Sequence, residues 1–227
     1  MRFRDAIGLD EDQQHALTRM MQIALVGLLF VGIDRRNPGI VVNTLVGIGV
    51  TLLPSFLERD YGIPMDAGLT LWITSAAFLH ALGTVGIPGV AGTFYKNSYT
   101  WWWDHMTHAL SSSLVAAAGY ATVRAIDEHR EDIYVPPRLT FVFVLAFVMA
   151  FGVVWELLEF GLGVVADMSG GGEAVLIQFG VDDTMRDLVF NAVGGIVVAL
   201  WGQAYLTDVV GALQARLDDR ESGDRTP

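Results

Sequence analysis

Six long apolar segments dominate the sequence, and each is close to the roughly 20 residues that an α-helix needs to cross a bilayer. They lie at about residues 17–33, 38–57, 65–87, 102–124, 139–164 and 185–205. Hydrophobic residues make up 52% of the chain and charged residues 17%, which is unlike an average soluble domain. The pattern predicts a single all-α domain over residues 1–227, a multi-pass bundle of six transmembrane helices in the cell membrane.

The distribution of positive charge predicts the orientation of this bundle. Cytoplasmic loops of membrane proteins carry an excess of Lys and Arg. With both termini in the cytoplasm, only four of the 14 Lys and Arg residues lie on the outer side, namely Arg35, Arg36, Lys96 and Arg186. Both termini are therefore expected to be cytoplasmic, with residues 206–227 forming a short solvated tail.

Charge and cysteine content exclude several classes of function. The chain has no cysteine, which rules out disulfides and thiolate metal sites. Its net charge is −11, and this balance disfavours binding to nucleic acid or to an anionic lipid surface. An acidic surface is also typical of proteins that work in very salty cytoplasm, so a halophilic source is expected.

Three polar clusters interrupt the apolar segments. Ionisable side chains are costly inside a bilayer, so they usually face a protein-lined interior and serve a function. The clusters are Asp104-His105-Met106-Thr107-His108, Trp155-Glu156-Leu157-Leu158-Glu159, and Asp182–Asp187 followed by Asn191. We therefore expect one polar site that these clusters share.

Helix direction predicts that the clusters meet. Because successive helices alternate in direction, the third ends, the fourth begins, the fifth ends and the sixth begins at the same membrane face. At 1.5 Å per residue, the polar side chains, His80 included, lie roughly 3–12 Å inside that face. Asp104 and His108 share one helix face, as do Asp187 and Asn191, because each pair is four residues apart. One shallow layer near the outer face is the expected result.

The residue types in this layer suit a divalent metal ion. Carboxylates and imidazoles bind Zn, Mn, Fe or Mg, and such an ion would offset several buried negative charges. It could activate water to hydrolyse a lipid or a lipid-linked substrate. His105 or Glu159 is the predicted general acid or base. The predicted metal ligands and their neighbours are His80, Asp104, His108, Glu156, Asp183, Asp187 and Asn191.

Other interpretations fit the same residues. The carboxylates could be relay groups of a transporter or proton-coupled carrier, although the inner halves of the helices hold few ionisable residues. The layer could instead be a structural network in a membrane scaffold, with Arg186 paired to an acid. Asp182 and Asp183 could simply cap the sixth helix. His80 taken alone is typical of a hydrogen-bonded residue between helices.

Two loops near the predicted site have distinctive compositions. Residues 94–103 are rich in aromatic residues and resemble an interfacial belt. A longer loop, residues 166–184, contains the flexible run 169–172 and then the apolar run 174–181. That apolar run is too short to cross the membrane, so we expect it to lie in the interface or to fold back as a lid.

Three ordered motifs within residues 80–195 resemble a known family. They are Trp102–His108, Phe151–Phe160, and Asp182–Leu188 with Asn191 and Gly194. The chain is similar here to the YjdF-like family of bacterial and archaeal membrane proteins, which is distantly related in pattern to the VanZ-like proteins. The resemblance implies a small multi-helix integral membrane protein and no particular activity. Arg186 stands where such proteins often carry an aromatic residue.

Overall fold

The long secondary-structure elements in the described part of the chain are all helices. The computed structural model describes residues 8–86, 92–130, 132–168, 175–176 and 180–224. A short 3-10 turn, Ser98–Thr100, accompanies seven α-helices in these residues. In chain order they are α1 (Glu11–Asp34), α2 (Pro38–Tyr61), α3 (Ala67–Gly83), α4 (Trp102–His129), α5 (Pro137–Met168), α6 (Val181–Tyr205) and α7 (Thr207–Asp224).

Each of the six predicted segments forms a helix, and five of the helices are long and apolar enough to cross a membrane. The five are α1, α2, α4, α5 and α6. The exception is α3, which has 17 residues and is shorter than the predicted segment 65–87. Its first turn is capped by Asp66, whose carboxylate accepts a hydrogen bond from the Leu69 N–H at 2.8 Å. At its other end the chain turns away at Thr84.

Local sequence explains where the first two helices begin and end. Asp10 and Gln13 form a reciprocal capping box at the start of α1. Asn37 caps α2, and the proline that follows it occupies the first helical turn, where the missing N–H has no cost. Gly62 ends α2 with a φ of 55°, a conformation that glycine adopts readily.

The start of α6 differs from the prediction. The helix begins at Val181, four residues before the predicted segment, after Gly180 with a φ of 104°. Asp182 and Asp183 therefore lie inside the first turn and do not cap the helix. Their negative charges still interact favourably with the helix dipole at this end.

Close contact between α6 and its two neighbours holds the polar clusters together. A Cβ atom added at Gly194 would collide with the backbone oxygen of Ala109 and the hydroxyl of Ser112, both on α4. A Cβ atom at Gly152 of α5 would lie 2.7 Å from the side-chain nitrogen of Asn191. Glycine at these positions lets the helix backbones approach closely, as small residues do in membrane bundles.

The apolar core occupies the half of α4 beyond its polar residues. It begins at Ala116 and includes Tyr120, both of which are almost completely buried. Ala121 and Ala125 of α4 also belong to it. Residues from other parts of the chain complete it: Leu69, Val144, Val148, Val198, Leu206 and Val210. The apolar core and the polar clusters thus occupy different parts of the bundle along its length.

Outside the core, the helices carry many exposed apolar side chains. Phe30 of α1, Leu157 of α5 and Leu200 of α6 are 67%, 64% and 58% exposed. A water-soluble monomer rarely exposes such continuous apolar surface. Lipid is the medium in which these helices are stable.

Most of the segment predicted as a short solvated tail, residues 206–227, forms a helix. Residues Thr207–Asp224 form α7, with Leu206 and Val210 in the apolar core. Polar contacts attach it to two helix ends: Gln214 donates to the Glu128 carbonyl at 3.1 Å, and Arg216 donates to the Asp60 carbonyl at 3.1 Å. Apolar residues spaced along the segment explain why it packs against α4.

The glycine contact predicts different outcomes for two neighbouring substitutions. Gly194→Ala should lower the free energy of unfolding by about 1–3 kcal/mol, because α4 and α6 must separate to admit the methyl group. Gly195→Ala should leave it unchanged or raise it by up to about 1 kcal/mol, since alanine favours the helix. A Cβ at Gly195 would meet Val148 at an ordinary contact distance of 3.5 Å. The free energy of unfolding of both variants can be measured in mixed micelles with increasing SDS, with circular dichroism as the signal. Equal stability of the two variants would contradict the prediction.

Candidate metal centre

His108 lies at the centre of two groups of potential metal ligands. Asp104, His108 and Asp187 offer ligand atoms that lie within 4.8 Å of one another, and so do His108, Glu156 and Glu159. The structure therefore brings together side chains from α4, α5 and α6. The imidazole of His108 is common to both groups.

The distances around His108 are suited to a bridging ion. His108 Nε2 lies 3.6 Å from Asp104 Oδ1 and 3.9 Å from Asp187 Oδ2, which is too long for hydrogen bonds. Two atoms that each lie about 2.1 Å from the same ion can be at most about 4.2 Å apart. One ion can therefore contact all three side chains with little movement.

Burial makes these carboxylates costly unless they have partners. Asp187 is 1% exposed, Glu156 4% and Glu159 6%. An ionised carboxylate in such surroundings needs a counter-charge or several hydrogen bonds. The two histidines of α4 lie close enough to these acids to provide part of that compensation.

Asp187 also contacts the second histidine of α4. Its Oδ1 lies 3.3 Å from Nδ1 of His105. The His105 ring stacks on Phe190, with centroids 4.7 Å apart and planes only 3° from parallel. His105, one of the two predicted acid–base residues, is thus fixed in orientation and placed directly beside a predicted ligand.

Glu159, the other predicted acid–base residue, is oriented by its own helix. The indole N–H of Trp155 donates a hydrogen bond to Glu159 Oε1 at 2.9 Å. The Trp155 ring in turn contacts His80 edge-on, with centroids 5.8 Å apart. This indole connects the acids of α5 to α3.

His80 lies beside the candidate centre and in neither ligand group. Its Nε2 is 3.1 Å from Asn43 Oδ1, and its Nδ1 is 3.1 Å from the Tyr95 hydroxyl. Burial raises the pKa of Tyr95, so its hydroxyl keeps the proton and donates to the His80 carbonyl at 3.1 Å. His80 therefore joins α2, α3 and the loop before α4.

A small polar cavity connects His80 with the acids. Its volume is about 20 Å³, enough for about one water molecule. Its lining residues are Asn43, His80, Thr84, Tyr95, Asp104, Glu159, Val175 and Leu176. A water-sized space thus reaches one carboxylate from each ligand group.

The predicted lid, residues 174–181, is described only in part. Residues 174 and 177–179 lie outside the described residues. Val175 and Leu176 line the small cavity, and the Val175 carbonyl accepts a hydrogen bond from Asn43 at 2.7 Å. These two residues pack against the polar side chains.

The remaining predicted residues occupy the edges of the centre. Asn191 is buried and hydrogen bonds His108 through its side chain. Asp183 is partly exposed in the first turn of α6 and belongs to neither ligand group. Arg186, the expected partner of an acid in a structural network, is exposed. The buried Asp187 is instead close to two histidines.

Sequence reasoning missed Asn43 and Tyr95. Asn43 could have been identified from the sequence, because an amide in the middle of an apolar segment requires a polar partner. Tyr95 carries no such signal, since tyrosine is common in aromatic loops at the membrane interface. Only the folded loop shows that its hydroxyl reaches His80.

The pairing of Asp187 with two histidines predicts a loss of stability when it is removed. Asp187→Ala should lower the free energy of unfolding by about 1–3 kcal/mol, because it leaves buried polar groups without an acceptor. Asp187→Asn should cost less, since it keeps the shape and one carbonyl oxygen. Asp182→Ala, at an exposed position in the same helix, should change stability by less than about 0.5 kcal/mol. Denaturation in mixed micelles would compare them; a loss for Asp187→Ala no larger than for Asp182→Ala would contradict the pairing.

Comparisons with known proteins identify the family of this chain. A protein-family model described as "Predicted membrane protein (DUF2238)" matches residues 16–208. No curated protein and no solved structure matches. The matched region contains α2 to α6 and every residue of the two ligand groups. The chain therefore belongs to the DUF2238 family of membrane proteins.

Proposed function

We propose that this protein binds one divalent metal ion at His108 and uses it to hydrolyse a lipid or a lipid-linked substrate. The observation that supports the proposal best is the convergence of four carboxylates on one imidazole inside a membrane bundle. Such residues are expensive in a bilayer, which favours a function over chance. The ligand types are compatible with Zn, Mn, Fe or Mg.

Each side chain has a role in this proposal. His108, Asp104 and Asp187 hold the ion, and Glu156 completes the ligand set from α5. A bound ion would supply Lewis acidity, which lowers the pKa of water and would make it a nucleophile for a carbonyl carbon or a phosphorus atom. The bond to the leaving oxygen or nitrogen breaks, and the leaving group takes up a proton. Glu159 or His105 accepts the proton of the water and delivers one to the leaving group.

The topology that accompanies this function has six spans. We infer that α3 is the sixth, because its 17 residues span about 25 Å and packing against α1, α2 and α4 surrounds it. Six crossings put both termini on one side, and the Lys and Arg distribution favours the cytoplasm. The candidate centre then faces the outer leaflet. We also propose that the protein comes from a halophilic organism and that it is related to the YjdF-like proteins.

A transporter or a scaffold fits the arrangement less well than an enzyme. A transport path would have to continue from His108 through the buried core that begins at Ala116 and includes Tyr120 and Val148. These residues offer little for a polar solute to bind. A scaffold would need acids paired with Arg186, whereas the buried Asp187 is paired with His105.

The first test is the metal content of the purified protein. Wild-type protein in detergent should contain close to one divalent ion per chain, measured by elemental analysis. His108→Ala and Glu156→Ala should lose it while remaining folded, because each removes a ligand. His15→Ala, which changes an exposed histidine of α1, should retain the ion.

Two results would contradict the metal site. One is folded wild-type protein that takes up no ion after supplementation with Zn and Mn. The other is full metal content in His108→Ala. Circular dichroism of each variant would show whether a loss of metal follows from unfolding.

The second test is turnover of lipid. Membrane lipid extract incubated with the metal-loaded protein should yield hydrolysis products detectable by mass spectrometry. His105→Ala should keep the ion and lower the rate by about 10²–10⁴-fold, which is the usual contribution of a general acid or base. An unchanged rate in that variant would remove His105 from the mechanism, and no products with any extract would contradict hydrolysis.

A further inference from the structure

A long apolar groove runs along the outside of the bundle between α4 and α6. Its volume is about 510 Å³, which lies within the range of small-molecule binding sites. Met106 and Phe190 line one end, and Tyr205 and Leu206 line the other. The groove is separate from the 20 Å³ polar cavity.

The walls of the groove offer almost only hydrocarbon. Val193, Val197 and Trp201 of α6 line it and are 43%, 46% and 55% exposed, so it opens sideways toward lipid. The hydroxyl of Ser113 accepts a hydrogen bond from Trp72 at 3.1 Å and donates one to a backbone carbonyl. The hydroxyl of Ser113 and the indole N–H of Trp72 are therefore satisfied within the protein, and the groove favours an apolar occupant.

One end of the groove reaches the candidate metal centre. Phe190 forms part of its wall and stacks on His105, whose ring contacts Asp187. Asp187 lies three residues from Phe190, a rise of about 4.5 Å. A molecule that fills the groove therefore has its end against Phe190, the residue whose ring stacks on the proposed acid–base residue His105.

The length and width of the groove select the kind of occupant. From Phe190 to Tyr205 it follows α6 for about 22 Å, most of the roughly 30 Å hydrocarbon layer. A helix of that length and about 10 Å diameter would occupy about 1,700 Å³, more than three times the volume of the groove. A single extended hydrocarbon chain is a better match.

We propose that this groove binds one hydrocarbon chain of the lipid substrate and holds the bond to be cleaved beside His105 and Asp187. The inference rests on the proposed hydrolysis and adds the substrate class: a lipid with a long chain attached directly to the scissile headgroup linkage. Chain contacts along α4 and α6 align that linkage with the ion and contribute to affinity. Selectivity for chain length then follows from the end of the groove at Tyr205 and Leu206.

Photolabelling with a phospholipid tests the groove directly. Purified protein is mixed with one equivalent of a phosphatidylglycerol that carries a diazirine in the middle of one chain, then irradiated and mapped by mass spectrometry. We expect one adduct per chain, on groove residues such as Met106, Val193 or Val197. The labelling should persist after a chelator removes metal ions, because the chain contacts do not involve the ion.

A matched pair of variants makes the test specific. Val197→Trp places a large ring inside the groove and should reduce labelling at least tenfold, which corresponds to about 1.4 kcal/mol. Leu200→Trp adds a similar ring at an exposed position of α6 that does not line the groove, and should leave labelling unchanged. Equal labelling of all lipid-facing helices, or unchanged labelling of Val197→Trp, would overturn the proposal.

Three further outcomes bear on this inference, and the last two separate it from the proposed hydrolysis. If Val197→Trp converts a dimer into a monomer, a second copy of the chain occupies the groove and the lipid site is wrong. If the groove is labelled as expected but wild-type protein binds no metal, the chain site stands and the hydrolase proposal fails. If the wild-type protein binds metal but labelling is spread over every helix, the lipid site is wrong and the hydrolase proposal is unaffected.

Discussion

The cost of burying carboxylates in a membrane bundle governs this structure. Asp187, Glu156 and Glu159 are almost completely buried, and lipid offers them no hydrogen bonds. They must therefore turn inward, toward the histidines of α4 and toward one another. That requirement sets the rotation of α5 and α6 about their axes. The glycine contacts at Gly152 and Gly194 bring the backbones close enough for it to be met.

The sequence predicted the helices and their meeting point well, because both follow from simple physical rules. Apolar length identified the segments that form α1 to α6, five of which are long enough to cross a membrane, and alternating direction placed the acids and histidines of α4, α5 and α6 in one layer. The same rules could not find the early end of α3, which depends on a loop turning at Thr84 and on the contact of Tyr95 with His80. They also missed α7, whose apolar residues are too sparse to suggest a helix until α4 is present as a partner.

The division of α4 into a polar half and an apolar half has a functional meaning. Residues 104–108 hold the candidate centre, whereas Ala116 and the residues beyond it fill the core. A rigid core directly below the centre limits the movement of its side chains, as pre-organised sites require. The proposed hydrolysis at this face would need no path through the bundle.

The attachment of α7 combines two kinds of contact that respond differently to salt. Arg216 and Gln214 bind exposed backbone carbonyls, and His129 lies against Asp218. Electrostatic attraction between such exposed groups fades in concentrated salt, where the Debye length falls to about 3 Å at 1 M. The packing of Leu206 and Val210 is not screened. In a solution of high ionic strength, dehydration of these two side chains would keep the last helix in place, while its charged residues would mainly hold water.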